Sequence, residues 1–239
     1  MLNKATLQKI QKLAREIDWN QSFKGKSKGN RHLARTVKIA KFLAARLNVD
    51  QKTVEAGAWL HDTALPSGND YDYKRNKRIA NKLLRRINLT PAEREAIAEC
   101  VASHEGTVIP KTLEAKIVHD ADVLEKSGML GLIRHTWKMT NSGLIKNGKI
   151  GDKAVKELLR HLEWRSRRLQ TSVAKKIARH LNSGLVKKDI KPLVTEISNL
   201  ARQGIITEKI AKIIGKKLRP GQNKKLREQL SLTYLKSFN

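Results

Sequence analysis

Acidic residues are scarce in this chain: 22 Asp and Glu stand against 50 Lys and Arg, a formal charge of +28 over 239 residues. A surplus of that size, spread along the chain, draws polyanions, so a nucleic acid or another phosphate-bearing molecule is the expected partner. Cysteine is nearly absent. Cys100 is the only one, which excludes an internal disulfide framework and suits a reducing cytoplasm. Its place in the apolar-periodic run AIAECVASH predicts a buried structural thiol rather than a nucleophile. Aromatic residues make up only 4%, so contact with phosphate should outweigh stacking on bases. No run of 18 apolar residues occurs, and MLNKATLQKIQKLARE lacks the apolar stretch of a signal peptide. The expectation is a cytoplasmic protein with no membrane partner. The sequence leaves the oligomeric state open.

Prolines are few, five in all, with fourteen glycines, and long Lys/Leu/Ala/Ile/Glu/Arg stretches run without a breaker. Such stretches favour helix, and no segment alternates convincingly with the period of a strand. The predicted fold class is all-α. Helices are expected over 5–17, 31–48, 51–62, 73–87 and 91–104, the last opened by Thr90, Pro91 and Glu93 in the pattern of a capping box. Another helical stretch should run from about 111 through Asp120 and Asp122 towards Trp137. A loop is expected at 140–152, then one long helix over about 153–181. Asn182, Ser183 and Gly184 separate a domain of 1–184 from a basic extension of 185–239 with three helices near 189–203, 207–217 and 223–236.

Most of the seven histidines read as ordinary surface or core residues: His135, His161 and His180 lie in basic helical stretches, and His119 adjoins Asp120. Three others stand in suggestive places. His32 begins a helix in GNRHLARTVKIA, His61-Asp62 follows the apolar run AGAWL, and His104 ends IAECVASHEG. Asp120 and Asp122 sit among Ile117, Val118, Ala121, Val123 and Leu124, and carboxylates in an apolar frame are costly unless paired or metal-bound. Imidazole nitrogen with carboxylate oxygen suits a borderline divalent ion, and helical bundles build metal sites from such residues on separate helices. Each has a plainer reading as well: Asp62 as a local backbone cap, His104 as a partner for the last carbonyls of its helix.

The ordered set His … His-Asp … Asp resembles the HD superfamily of metal-dependent phosphohydrolases. H-L-A-R-T-V-K-I-A is similar to its first-helix signature, A-W-L-H-D to the doublet, I-x-x-x-V-x-x-H to a helix ending in a further His, and A-K-I-V-H-D-A-D-V-L-E-K-S-G-x-x-G to the stretch usually written D-A-D-R-L-D-A-x-G. The likeness spans roughly residues 20–180. It implies His32, His61, Asp62 and Asp122 as ligands of one divalent ion (Mn, Fe, Co, Ni, Zn or Mg), with Asp62 and His104 catalytic. The Ala-Asp-x-Leu register favours Asp122 over Asp120, and two positions apart on a helix they cannot face the same point. The resemblance further implies hydrolysis of a phosphoester in a nucleotide or nucleic acid, with the ion lowering the pKa of a bound water. Lys74, Arg75, Lys77 and Lys126 are candidate cations for the charge that builds on the phosphoryl oxygens.

Two departures from the family pattern shape the expectation. Val123 stands where the family has Arg. PSGNDYDYKRNKRIANKLL carries no second histidine, which favours one metal over two. The branches with Gly-Lys after the doublet are set aside, since Thr63 follows here. The competing reading is a nucleic-acid-binding protein in which an HD-like scaffold is catalytically idle and the charge is the working feature.

Overall fold

The computed structural model describes residues 2–68, 70–145, 150–185 and 190–238, and among them every regular element is helical. The expected loop at 140–152 lies partly outside the described residues, at 146–149. The chain forms two compact units: Met1–Val123 with Leu169–Ala174, and Leu124–Arg168 with Lys175–Asn239.

In the first unit α1 (Lys4–Asn20), α2 (His32–Leu47), α3 (Gln51–Leu60), α4 (Tyr73–Leu84), α5 (Pro91–Ser103) and most of α6 (Leu113–Glu125) surround an apolar core. Their starts are written locally. Asn3 accepts from the Thr6 amide, Asp50 from those of Lys52 and Thr53, Asp72 from that of Arg75, and Thr90 with Glu93 closes a reciprocal capping box. Each satisfies amides that the first helical turn leaves without partners. The middle of α3 is pressed against its neighbours. A Cβ on Gly57 would stand 2.5 Å from Cys100 Cβ and 3.3 Å from Val118 Cγ2. Only glycine lets α3, α5 and α6 approach so closely, and Cys100 is buried at that contact. Burial pushes the Cys100 thiol well above its usual range, so it packs as a protonated apolar group.

In the second unit α7 (Gly128–Asn141) is the hub for α8 (Asp152–Arg167), α10 (Ile190–Arg202), α11 (Thr207–Gly215) and α12 (Pro220–Ser231). Residues 190–238 therefore pack here, burying Val194, Ile197, Ala201, Ile210 and Ile214. Polar contacts fix the register: Trp137 Nε1 donates to the Ile205 carbonyl at 3.1 Å, Thr140 Oγ1 to Ser198 Oγ at 3.0 Å, and Gln229 Nε2 to the Ser127 carbonyl at 2.8 Å.

Two expected continuous helical stretches are in fact broken. The stretch running towards Trp137 divides into α6 and α7 at Ser127-Gly128, where Gly128 takes φ 59°, a left-handed conformation open to glycine at little cost. The stretch over 153–181 divides into α8 and α9 (Ser172–Asn182). There the amides of Gln170 and Thr171 donate to the two oxygens of Asp120, at 2.7 and 2.8 Å, instead of continuing a helical ladder. Thr171 Oγ1 then accepts from the Ala174 amide and opens α9.

Candidate metal centre

Four elements of the first unit bring the sequence-derived residues together. His32 is the first residue of α2, so its imidazole stands at a helix end, with Nδ1 3.4 Å from Thr36 Oγ1 one turn on. His61 and Asp62 open the 3₁₀ segment His61–Ser67 that continues α3, and Asp122 lies in α6. All four are buried, with relative exposures of 2% for His32, 0% for His61, 4% for Asp62 and 0% for Asp122. His32 Nε2 lies 3.0 Å from His61 Nε2, 3.2 Å from Asp62 Oδ2 and 3.3 Å from Asp122 Oδ1; His61 Nε2 lies 3.3 Å from Asp122 Oδ1 and 3.5 Å from Asp62 Oδ1.

The tautomer of His61 follows from its partner. A carbonyl cannot donate, so Nδ1, 2.8 Å from the Ala58 oxygen, carries the proton. The lone pair on Nε2 then faces the other three side chains. Donors about 2.1 Å from one ion, at right angles, stand about 3.0 Å apart, close to the separations here. The donor set fits a divalent cation: two imidazoles and two carboxylates, removed from water, with their donor atoms converging.

Asp120 and Asp122 divide the roles that sequence left to register. Asp120 Oδ1 accepts from the Gln170 amide, and Oδ2 from the amide and hydroxyl of Thr171 at 2.8 and 2.7 Å. Both of its oxygens are thus committed to holding a chain break, while Asp122 points at the histidines.

His104 does two things at once. Its Nδ1 lies 2.7 Å from the Val101 carbonyl, the helix-terminal contact that the plainer reading expected. That bond places the proton on Nδ1 and leaves Nε2, which makes no hydrogen bond, aimed into the site 3.8 Å from Asp62 Oδ1 and 3.7 Å from Glu105 Oε1. Burial holds this imidazole below its ordinary range, opposed chiefly by the Glu105 charge. His119, read as bland, is buried and sets the position of that turn through Nδ1 and the His104 carbonyl at 2.7 Å.

Sequence reasoning passed over two residues. Asp70 and Glu105, buried at 3% and 2% exposure, join Asp62 and His104 in a second group whose donor atoms lie within 4.8 Å of one another. Two signals were present: Glu105 directly follows His104, and Asp70 lies in the acid-rich NDYDY after the doublet. Of the cations expected near the phosphoryl group, Lys77 is taken by Glu95 at 2.5 Å and Glu99 at 3.3 Å. Those carboxylates, one turn apart on α5, raise its pKa. Arg75 holds the Ser67 carbonyl at 2.8 Å, and Lys126 lies in the second unit.

Residues 30–127 match the family model of the HD domain. It is similar to ribonuclease Y of Acidothermus cellulolyticus, 30% identical over 94 residues, which are 39% of this chain and 18% of that protein. The chain thus matches less than a fifth of that relative's length. Among solved structures, a Lactobacillus plantarum protein is 23% identical with a TM-score of 0.58, over 85% of this chain and 98% of that one. Bacillus subtilis YpgQ is 19% identical with a TM-score of 0.57, over 85% and 97%. YpgQ has also been solved in complex with ADP, where it is 20% identical with a TM-score of 0.53, over 83% and 96%. At these identities the likeness to the solved structures is one of fold.

Proposed function

We propose that this chain is a divalent-metal-dependent phosphohydrolase acting on a phosphoester of a nucleotide or nucleic acid. The observation that carries the reading is the convergence of His32, His61, Asp62 and Asp122 from separate elements, with neighbouring donor atoms 3.0 to 3.5 Å apart and nearly shielded from water. A cation at that point would offset the cost of burying two carboxylates side by side. When bound, the ion supplies Lewis acidity, polarising a phosphoryl oxygen and making water a better nucleophile.

The chain's own residues do the rest. His61 is held in one tautomer by the Ala58 carbonyl, and such outer contacts keep a ligand oriented and basic. Asp62 belongs to both donor groups, so its second oxygen is placed to orient a water. His104 presents a neutral lone pair, and it therefore accepts a proton or holds a water rather than starting as an acid. Ribonuclease Y is by its name a ribonuclease, and YpgQ has been solved with ADP; both support that substrate class. The formal charge of +28 supports a polyanionic ligand.

One ion at the first donor set is the simplest reading. The second group, Asp62, Asp70, His104 and Glu105, favours a two-ion alternative with Asp62 shared. Metal analysis of the purified protein, with turnover of a generic phosphodiester and a nucleotide panel, tests both. One equivalent of metal and activity lost in His61→Ala is the expected result; two equivalents select the alternative. No metal retained or loadable, with every activity unchanged in His61→Ala, leaves the idle-scaffold reading instead.

A further inference from the structure

The solvent face of α4 carries charge of one sign. Residues 73–90 hold seven Lys and Arg and no Asp or Glu. Two of the seven are engaged: Arg75 holds the Ser67 carbonyl, and Lys77 pairs with Glu95 and Glu99 of α5. Asp72, the acid just ahead of the helix, caps it through the Arg75 amide. Lys74, Arg78, Lys82 and Arg85 are exposed, and among the described residues none of the four meets an acid. Arg85 still has helical dihedrals, so spacings of four, four and three residues keep the four cations within about 80° of one another around the axis. Asn76, Ala80 and Leu84 are buried on the other side.

Solubility asks for charge on such a face, not for one sign. Opposite charges one turn apart support a helix, and like charges weaken it by a similar amount. A row of cations therefore works against α4 unless an anion that repeats its charge lies along it. No large apolar side chain of α4 is exposed, so the row lacks what a helix needs to enter a membrane surface. It also carries no aromatic on which a base could stack.

The row begins beside the metal centre of the same unit. Asn76 is buried and donates from Nδ2 to the Asp70 carbonyl at 2.6 Å, and Asp70 shares a donor group with Asp62, His104 and Glu105. Arg75 ties the same turn of α4 to Ser67, the end of the 3₁₀ segment that His61 and Asp62 open. Lys74 follows Asp70 by four residues, and from Lys74 to Arg85 the axis runs about 16 Å. A free nucleotide carries its phosphates at one point, whereas a polymer offers successive phosphates over that length.

We propose that Lys74, Arg78, Lys82 and Arg85 form a track for the phosphate backbone of a nucleic-acid strand, which makes the substrate of the metal centre a polynucleotide rather than a free nucleotide. The substrate half of this rests on the hydrolase reading; the strand-binding half does not. One row of cations engages one row of phosphates, and without stacking the contact is indifferent to base sequence.

The test is fluorescence anisotropy of a labelled, phosphorothioate-linked oligouridylate with the full chain as purified, since that linkage keeps the charge and resists hydrolysis. The double variant Arg78→Gln/Lys82→Gln should weaken binding at least about tenfold and lower the slope of log affinity against log salt by about 1.4, near 0.7 for each phosphate contact. Removing like charges one turn apart should leave the thermal melt at or above that of wild type. Lys153→Gln/Lys156→Gln, the same charge change on exposed positions of α8, should bind within about twofold of wild type, because salt screens charges outside the contact. Adenosine monophosphate offers a single phosphate, so its affinity by calorimetry should be the same in wild type and the Arg78/Lys82 variant. An equal fall for the mononucleotide would overturn the track, since the row would then serve one phosphoryl group. So would oligouridylate binding that the double variant leaves unchanged, or binding of wild type to phosphatidylserine-containing vesicles and not to the oligouridylate. The readout needs no turnover, so it stands or falls independently of the His61→Ala result that tests the hydrolase reading.

Discussion

The two units bury polar side chains of opposite sign. In the first, Asp62, Asp70, Glu105 and Asp122 turn inward beside three histidines. In the second, Lys126, Arg134 and Arg165 turn inward around a cavity with no acid in its lining. Burying either kind of group is costly unless it is paired or ion-bound. The contrast shows why the net charge is a poor guide to where chemistry lies. In a chain carrying +28, the candidate metal centre lies among buried acids.

The largest expected effect breaks the first half of that comparison. His61→Ala or Asp122→Asn should abolish stoichiometric metal binding and lower phosphodiester turnover by two orders of magnitude or more, since even outer contacts to metal ligands cost about 10–100-fold. Metal content and steady-state rates measured side by side check this. Full activity in Asp122→Asn would sink the ligand assignment.

Next in size is ligand-linked stability, which sharpens the comparison directly. Metal at a hundred times its dissociation constant should add about 2.7 kcal/mol. A chelator should reverse that gain. Thermal melts with metal and with chelator check this, and a melting temperature that metal leaves unmoved would sink the ligand set.

Asp120→Asn should cost about 1.5–3 kcal/mol of stability, because an amide meets the donors of Gln170 and Thr171 with one oxygen in place of two. Metal stoichiometry should stay intact, in contrast with Asp122→Asn. Denaturant unfolding combined with metal analysis distinguishes the neighbours.

The smallest effect is a pH slope. His135 is held below the imidazole's ordinary value of about 6.5. Below that value the unfolded chain binds more protons at this position than the folded one, so stability falls as the pH drops from about 7 to 5. His135→Gln should flatten that slope in phosphate-free buffer. An unchanged slope would show that His135 titrates normally.

Much of this was legible in the chain. The all-helical class followed from unbroken runs and from caps such as Thr90-Pro91-Glu93, which act within four residues and need no tertiary context. His32, His61, Asp62, His104 and Asp122 were picked out because metal-competent residues stood at helix ends or in apolar frames. The break at 168–171 was not legible, because its cause is a carboxylate fifty residues away. Asp70 and Glu105 were passed over because nothing local distinguishes a buried acid from a solvated one. His135 and His161 looked like filler because only the packing of α7 on α8 stacks them.

The sequence by itself determined the helices, the scarcity of acid and the order of the metal-type residues, since these depend on neighbours along the chain. Tertiary structure alone decided which aspartate faces the histidines, which acids share their interior, and which lysines are spent on glutamates. Those outcomes rest on desolvation and on distances of a few ångströms between residues far apart in sequence. Periodicity places a side chain on a face, and only packing decides what that face meets.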